Sequence, residues 1–119
     1  MVTAIGVDAF VDCSDKLKNV ILPEGVTRIG RRACADTEIC SIILTESLTS
    51  IGESAFACCD HLESIRIPDG VAELPRLVFC NCDTLQTVEL PEGIKIHPGA
   101  FRDSPKVKIV YRPVQKKTK

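Results

Sequence analysis

The feature that most constrains this chain is a sequence unit of about 23 residues that repeats along it. In the best-formed copy, which begins at Ile51, the unit reads I-G-x-x-A-F-x-x-C-x-x-L-x-x-I-x-I-P-x-G-V. The copies begin near Ile5, Ile29, Ile51, Leu74 and Ile96, at spacings of 24, 22, 23 and 22 residues. One such unit cannot close a hydrophobic core by itself, so repeats of this length stack into a solenoid in which each coil contacts its neighbours.

The rarest residue types recur in phase with this unit. The chain has four phenylalanines, and all of them fall at one position, which Cys34 fills in the second copy. They are Phe10, Phe56, Phe79 and Phe101. This phasing indicates ladders of like residues running through about five stacked coils, whose strands would lie about 4.8 Å apart.

Each unit predicts a strand, a tight turn and a compact return segment. Leu62 to Ile67, with the pattern L-x-x-I-x-I, alternates in its second half like a short strand with one buried face. Pro68-Asp69-Gly70 follows, and Pro-acid-Gly is typical of a type I turn with proline as its first central residue. The Ala-Phe-x-x-Cys stretch is too short for a long helix, so we expect a single turn of α or 3₁₀ helix with phenylalanine facing inward.

The last copy departs from this pattern. Val107 and Val110 match the buried strand positions less well than their counterparts do, and Arg112 takes the place of a leucine. We interpret this copy as a capping coil, because both ends of a solenoid need one. The repeats thus assign residues 1–113 to one solenoid domain, and the lysine-rich residues 114–119 to a solvated basic tail.

Written as L-x-x-I-x-L-P-x-x-V-x-x-I-G-x-x-A-F-x-x-C, the unit closely resembles the BspA-type leucine-rich repeat, from Val2 to about Pro113. The second copy departs most, with Thr45 for proline, Cys34 for phenylalanine and Thr37 for cysteine. The resemblance implies an α/β fold class: a right-handed leucine-rich-repeat solenoid with short parallel strands on one face and single helical turns and loops on the other. It also implies a binding role, since members of this family typically occur in surface proteins of bacteria and some protists, often as adhesins or host-binding modules.

Seven cysteines cannot all pair within one chain, and several of them share one slot of the unit. That slot is filled by Cys13, Thr37, Cys59, Cys82 and Ser104. A small, weakly polar side chain recurs there, so we predict a ladder of buried free thiols. A disulfide between neighbouring rungs is the alternative, although parallel side chains fit that bond poorly. The spacings Cys58-Cys59 and Cys80-x-Cys82 do not match a zinc site, so we predict no metal.

The sequence offers no catalytic constellation. His61 lies at a variable position and His97 replaces a glycine of the unit, and neither is near an obvious nucleophile with an acidic partner. Glycine-rich phosphate loops and metalloprotease motifs are also missing. We therefore predict that the chain is not an enzyme and binds no cofactor.

Charge and hydropathy exclude two classes of partner. The net charge is −1 and no basic stripe precedes the C-terminal lysines, so we predict no nucleic-acid binding. Since no apolar run approaches the roughly 20 residues of a membrane helix, we predict no membrane insertion.

Outward-facing residues of the predicted strands form the candidate binding site. We expect one row about 20 Å long on the concave face, with one residue from each coil. The row comprises Ile21, Ile43, Arg66, Glu89 and Tyr111. Two neighbouring β-branched apolar residues on an open face are what a contact patch would use. The alternative is that these side chains merely tolerate solvent.

The function predicted from these observations is a non-catalytic protein-binding or adhesion module of a cell-surface or secreted protein, with a host or extracellular-matrix protein as its partner. One alternative is an intracellular interaction scaffold in the cytoplasm. A further alternative is a repeat domain from a larger polypeptide, because Val2-x-x-Ile5 matches the end of a copy whose beginning is missing. The first residues lack the features of a signal peptide, so the protein is either cytosolic or has lost its signal.

Overall fold

A computed structural model describes residues 4–5, 19–22 and 24–113, and the described chain consists of short strands joined by turns. The strands are β1 (Ala4–Ile5), β2 (Asn19–Ile21), β3 (Arg28–Ile29), β4 (Ser41–Ile43), β5 (Ser50–Ile51), β6 (Ser64–Arg66), β7 (Glu73–Leu74), β8 (Thr87–Pro91), β9 (Lys95–Ile96) and β10 (Lys108–Arg112). We number the coils one to five by the repeat copies in which they begin.

The strands form two columns, one on each side of the coil. The first column contains the sheets β1-β3-β5 and β7-β9, and the second contains β2-β4 and β6-β8-β10. Every pair is parallel, and Ile29 lies in register with both Ile5 and Ile51. The described strands delimit about four turns of a solenoid. The predicted stacking of parallel strands is confirmed, but strands line two faces of the coil and not one.

In the second to fifth coils, the segment that leads from the first-column strand to the second-column strand is a run of turns, and we call it the turn segment. The second to fourth coils each contain two residues there with φ between 57° and 62°, and the fifth contains one. These left-handed residues are Arg32, Asp36, Ser54, Cys58, Leu77, Asn81 and Asp103. They recur every 22 or 23 residues, so the backbone repeats its path in each coil.

Hydrogen bonding explains why this segment is not helical. Phe56 N donates to Val78 O of the next coil at 3.0 Å, whereas Ala57 N donates to Ser54 O of its own turn at 3.0 Å. Alternate N–H groups therefore point between coils and within the coil, while an α-helix directs all of them back along its own chain. The described residues contain no helix, so the predicted helical turns are not confirmed.

The Pro-acid-Gly turns of the third and fourth coils form, but proline lies one position earlier than expected. Ile94 N donates to Pro91 O at 3.4 Å, which makes proline the first residue of the four-residue turn. Gly93 is its third residue and has φ 84°, a conformation that glycine adopts without steric cost. In the second coil Leu48 N donates to Thr45 O at 3.1 Å, so the turn forms there without proline.

Phenylalanine rings stack through the centre of the core. The ring centroids of Phe56 and Phe79 lie 5.5 Å apart, and those of Phe79 and Phe101 lie 5.6 Å apart, with the rings almost parallel in both pairs. Phe56 and Phe79 are fully buried and Phe101 is partly buried. The predicted spine is confirmed for these three residues, whereas Phe10 lies outside the described residues.

The last strand has a different register from the one predicted. Ile109 pairs with Val88, Val110 with Glu89, Tyr111 with Leu90 and Arg112 with Pro91. The prediction had placed Val110 opposite Val88 and Arg112 opposite a leucine, so it was wrong by one residue. Ile109 is the residue of β10 that packs against the core. The alternation of the last copy is less regular than that of the others, so its sequence did not reveal this register.

Candidate functional site

The candidate site is the outward face of the second strand column, which we call the strand face. Its first row consists of Asn19, Ser41, Ser64, Thr87 and Lys108. Its second row consists of Ile21, Ile43, Arg66, Glu89 and Val110. Four of the five predicted site residues thus lie in one row. Tyr111 does not, because the register of β10 places Val110 beside Glu89 and aligns Tyr111 with the core residue Leu90.

One end of the strand face is apolar. Ile21 and Ile43 are paired in register on β2 and β4, and their exposed fractions are 72% and 59%. Next to them, the Ser41 hydroxyl donates to Asn19 Oδ1 at 2.7 Å. Since β-branched side chains on an ordered strand lose little further freedom on binding, this pair offers an apolar contact at low entropic cost.

The centre of the strand face is a chain of ion pairs. Arg66 contacts Glu46 through Nη1 and Glu89 through Nε, the latter at 3.3 Å. Glu89 also accepts a bond from Arg112 Nη1 at 2.7 Å. Arg66 and Glu89, both members of the predicted row, therefore neutralise each other. Neither presents an uncompensated charge to a partner.

Arg112 closes the end of this chain and was missed as a site residue. Its side chain is 17% exposed and donates to Asp69 and to the Ile67 carbonyl as well as to Glu89. Burial would lower the pKa of Arg112, but the hydrogen bonds to Asp69 and Glu89 outweigh it and raise the pKa. Arg112 therefore stays charged and ties the fifth coil to the third. A correct register for β10 would have placed it on the same face as Glu89.

A shallow depression runs along the strand face where its two sheets meet. Strands β4 and β6 are neighbours but belong to different sheets. The depression has a volume of about 370 Å³ and is lined by Ser41, Ile42, Ile43, Ser64, Ile65, Arg66, Thr87 and Glu89. It joins the apolar end of the face to the ion pairs, so one partner segment could contact both.

The cysteine slot satisfies a buried backbone carbonyl. Cys59 Sγ donates to Cys34 O at 3.2 Å, Cys82 Sγ donates to Phe56 O at 3.1 Å, and the Ser104 hydroxyl donates to Phe79 O. Neighbouring carbonyls accept backbone N–H groups, so the slot side chain supplies the remaining donor. Burial raises the pKa of Cys82 to about 12, so the thiol stays protonated and can donate. Cys13 lies outside the described residues.

The described residues hold no arrangement typical of a catalytic or metal site. No group of three His, Cys, Asp or Glu side chains among them is placed to hold a metal ion. His61 is exposed, and His97 Nδ1 accepts a bond from Gly99 N at 3.0 Å. A second open depression of about 470 Å³ lies at the turns that contain Asp69 and Gly93, and no Ser, Thr, Cys or His side chain lines it. In this part of the chain no helix has the length and apolar character to cross a membrane.

Two solved proteins resemble this chain in both sequence and structure. A leucine-rich cell-surface protein from Faecalibacterium prausnitzii A2-165 is 31% identical with a TM-score of 0.87, and the match covers 92% of this chain and 30% of that protein. A leucine-rich repeat protein from Bacteroides ovatus ATCC 8483 is 31% identical with a TM-score of 0.85, over 94% of this chain and 29% of that one. The chain thus spans less than a third of either protein.

A third solved structure and the family profile complete the comparison. The leucine-rich repeat protein of T. pallidum is 22% identical with a TM-score of 0.64 over 94% of this chain and 64% of its own length, which shows a shared fold. No curated protein sequence matches the chain. The profile described as "BspA type Leucine rich repeat region" matches residues 1–116 in six copies. Such repeats are typical of protein-interaction and surface proteins and are generally non-catalytic. The chain therefore belongs to the BspA-type leucine-rich repeat family.

Proposed function

We propose that this chain is a non-catalytic protein-binding module of a cell-surface or secreted protein, and that it recognises an extracellular protein partner on the strand face. The observation that carries the proposal is the exposed pair Ile21 and Ile43, set in register beside the ion pairs of Arg66 and Glu89. The cell-surface protein of F. prausnitzii, with 31% identity, supports the proposed location.

The chemistry of the strand face favours a protein over other partners. Its two arginines are both paired with carboxylates, and its two rows add only Lys108 as a further cation, too few for the run of phosphate contacts that a nucleic acid requires. Apolar side chains beside ordered polar groups are typical of a protein interface, in which a few well-packed residues carry most of the binding energy. We expect the partner to place an apolar side chain over Ile21 and Ile43 and hydrogen-bonding groups over Asn19 and Ser41.

The test is binding to a panel of purified extracellular-matrix proteins (fibronectin, laminin, fibrinogen and collagen) by surface plasmon resonance. The variant Ile43→Glu combined with Arg66→Ala should weaken binding by about tenfold or more, because it places a charge in the apolar contact and removes the central cation. The matched control is Glu53→Ala combined with Arg102→Ala, two exposed residues of the turn segments. Circular dichroism should show that both double variants stay folded.

Two results would contradict the proposal. If the strand-face variant binds as tightly as the parent while the turn variant loses affinity, the site lies on the turn side. If no protein of the panel binds the parent chain, the extracellular role loses its support. An intracellular interaction scaffold would then be the better hypothesis, since the six described cysteines are free in the structure.

A further inference from the structure

The six described cysteines differ in their access to solvent and to one another. Cys34, Cys59 and Cys82 are buried, and the last two thiols are engaged with backbone carbonyls. Cys40 is exposed, and its Sγ donates to Glu38 O of its own segment at 3.6 Å. Cys58 and Cys80 are partly buried, so each keeps some contact with solvent.

Cys58 and Cys80 lie on adjacent coils, and a backbone hydrogen bond joins the two residues. Cys58 N donates to Cys80 O at 2.7 Å, within the ladder that joins the turn segments of the third and fourth coils. Standard bond lengths on either side of this hydrogen bond keep the two Cα atoms less than about 7 Å apart, which is within the distance that a disulfide can span. Both thiols lie in the turn segments and not on the strand face.

We propose that Cys58 and Cys80 form an oxidation site, at which a two-electron thiol oxidant converts the two thiols into a disulfide that staples the third coil to the fourth. In this step both S–H bonds break and one S–S bond forms. Two electrons and two protons pass to the oxidant, which for an azo compound such as diamide becomes the hydrazine.

The Cys58 thiol reacts slowly at neutral pH. Burial first, and then the neighbouring carboxylates Asp36 and Asp60, raise the pKa of the Cys58 thiol. The thiolate is the reacting species, so its small population limits the rate. Oxidation should therefore accelerate as the pH rises from 7 to 9.

The test is treatment of the reduced chain with diamide, blocking with N-ethylmaleimide, and tryptic digestion without reductant. Cys58 lies in the tryptic peptide 33–66 and Cys80 in the peptide 77–95. The two peptides should be recovered linked, two hydrogens lighter than their sum, with fragment ions that place the link at Cys58 and Cys80. The oxidised chain should melt about 10 °C higher than the reduced one, because the bond closes a loop of about 22 residues, and dithiothreitol should reverse the shift.

Matched variants separate this bond from other thiol chemistry. Cys58→Ser and Cys80→Ser should each lose both the linked peptide and the diamide-dependent shift in melting temperature, whereas Cys40→Ser should retain both. Peptides that stay unlinked in the oxidised parent would overturn the proposal. A link that fragment ions assign to Cys59 and Cys82 would also overturn it. Because fragmentation is read on the parent chain, the result does not depend on the variants folding.

Discussion

The stacked phenylalanines lead to a graded prediction of stability. Phe79 is fully buried between two rings, at 5.5 Å from Phe56 and 5.6 Å from Phe101. Phe56 is equally buried but has one ring neighbour among the described residues, and Phe101 is only partly buried. Replacement by alanine should therefore lower the free energy of unfolding most at Phe79, less at Phe56 and least at Phe101.

The magnitudes follow from burial and ring contacts. Truncation of a buried phenylalanine to alanine costs about 3–5 kcal/mol, because apolar contacts are lost and a cavity remains. Each stacked ring pair adds about 0.5–1.5 kcal/mol beyond the buried area. We expect Phe56→Ala to cost about 4 kcal/mol and Phe79→Ala about 1 kcal/mol more, since it loses a second ring pair. Phe101→Ala should cost about 2 kcal/mol, because its side chain is already partly solvated.

The measurement is urea unfolding of the parent and the three variants, followed by far-ultraviolet circular dichroism. A common slope of free energy against urea concentration would show that the variants differ in stability and not in the extent of unfolding. A cost of less than 1 kcal/mol for Phe56→Ala would mean that the phenylalanine spine is misplaced. A larger cost for Phe101→Ala than for Phe79→Ala would refute the reasoning from ring contacts.

Three further predictions concern the backbone and the thiols. A Cβ atom on Gly52 would lie 2.5 Å from Arg31 N of the preceding coil, so Gly52→Ala should lower the free energy of unfolding in urea by about 1–3 kcal/mol. Gly99→Ala should cost less, because its Cβ atom would meet nothing closer than 3.6 Å. Burial raises the pKa of Cys34 and of Cys82 to about 12. Above pH 9 these two thiols therefore ionise in the unfolded chain but stay protonated in the folded one, and the free energy of unfolding should fall by about 1.4 kcal/mol per pH unit for each thiol. Cys82→Ser should remove one thiol's share of that fall between pH 9 and 12, and an unchanged slope would show that this thiol is not protected. Without added oxidant, alkylation under denaturing, non-reducing conditions should modify all seven cysteines, and mass spectrometry that finds three bridges would contradict the free-thiol ladder.

Much of the fold could be predicted from the sequence because each coil offers the same environments in the same order. A position that faces the axis of the stack selects a large apolar ring, and all four phenylalanines of the chain fall at one position of the unit. The alternation around Ile65 marks the buried face of a strand, and residues of this kind are buried in every described coil from the second to the fourth. The period and the core positions therefore followed from the spacing of these residues, and the resemblance of the whole unit to a known repeat indicated the family.

The candidate site was only partly predictable. Ile21, Ile43, Arg66 and Glu89 were placed correctly on one face, because side chains alternate along a strand. The last copy offers two possible sets of inward-facing residues, Val107 with Val110 and Ile109 with Tyr111. The first set was chosen, so Tyr111 was misplaced. Local pattern cannot choose between them.

The tertiary structure decided the features that depend on contacts between coils. Arg112 reaches Asp69, 43 residues away, as well as Glu89, and these bonds accompany a register that the sequence pattern does not specify. The left-handed turns form because alternate N–H groups find carbonyls on the next coil, and such bonds exist only once the coils are stacked. The pairing of Arg66 with Glu46 and Glu89 likewise depends on three different coils meeting at one face. A sequence encodes what each residue prefers locally, whereas these partners lie one or two coils apart and are chosen when the stack closes.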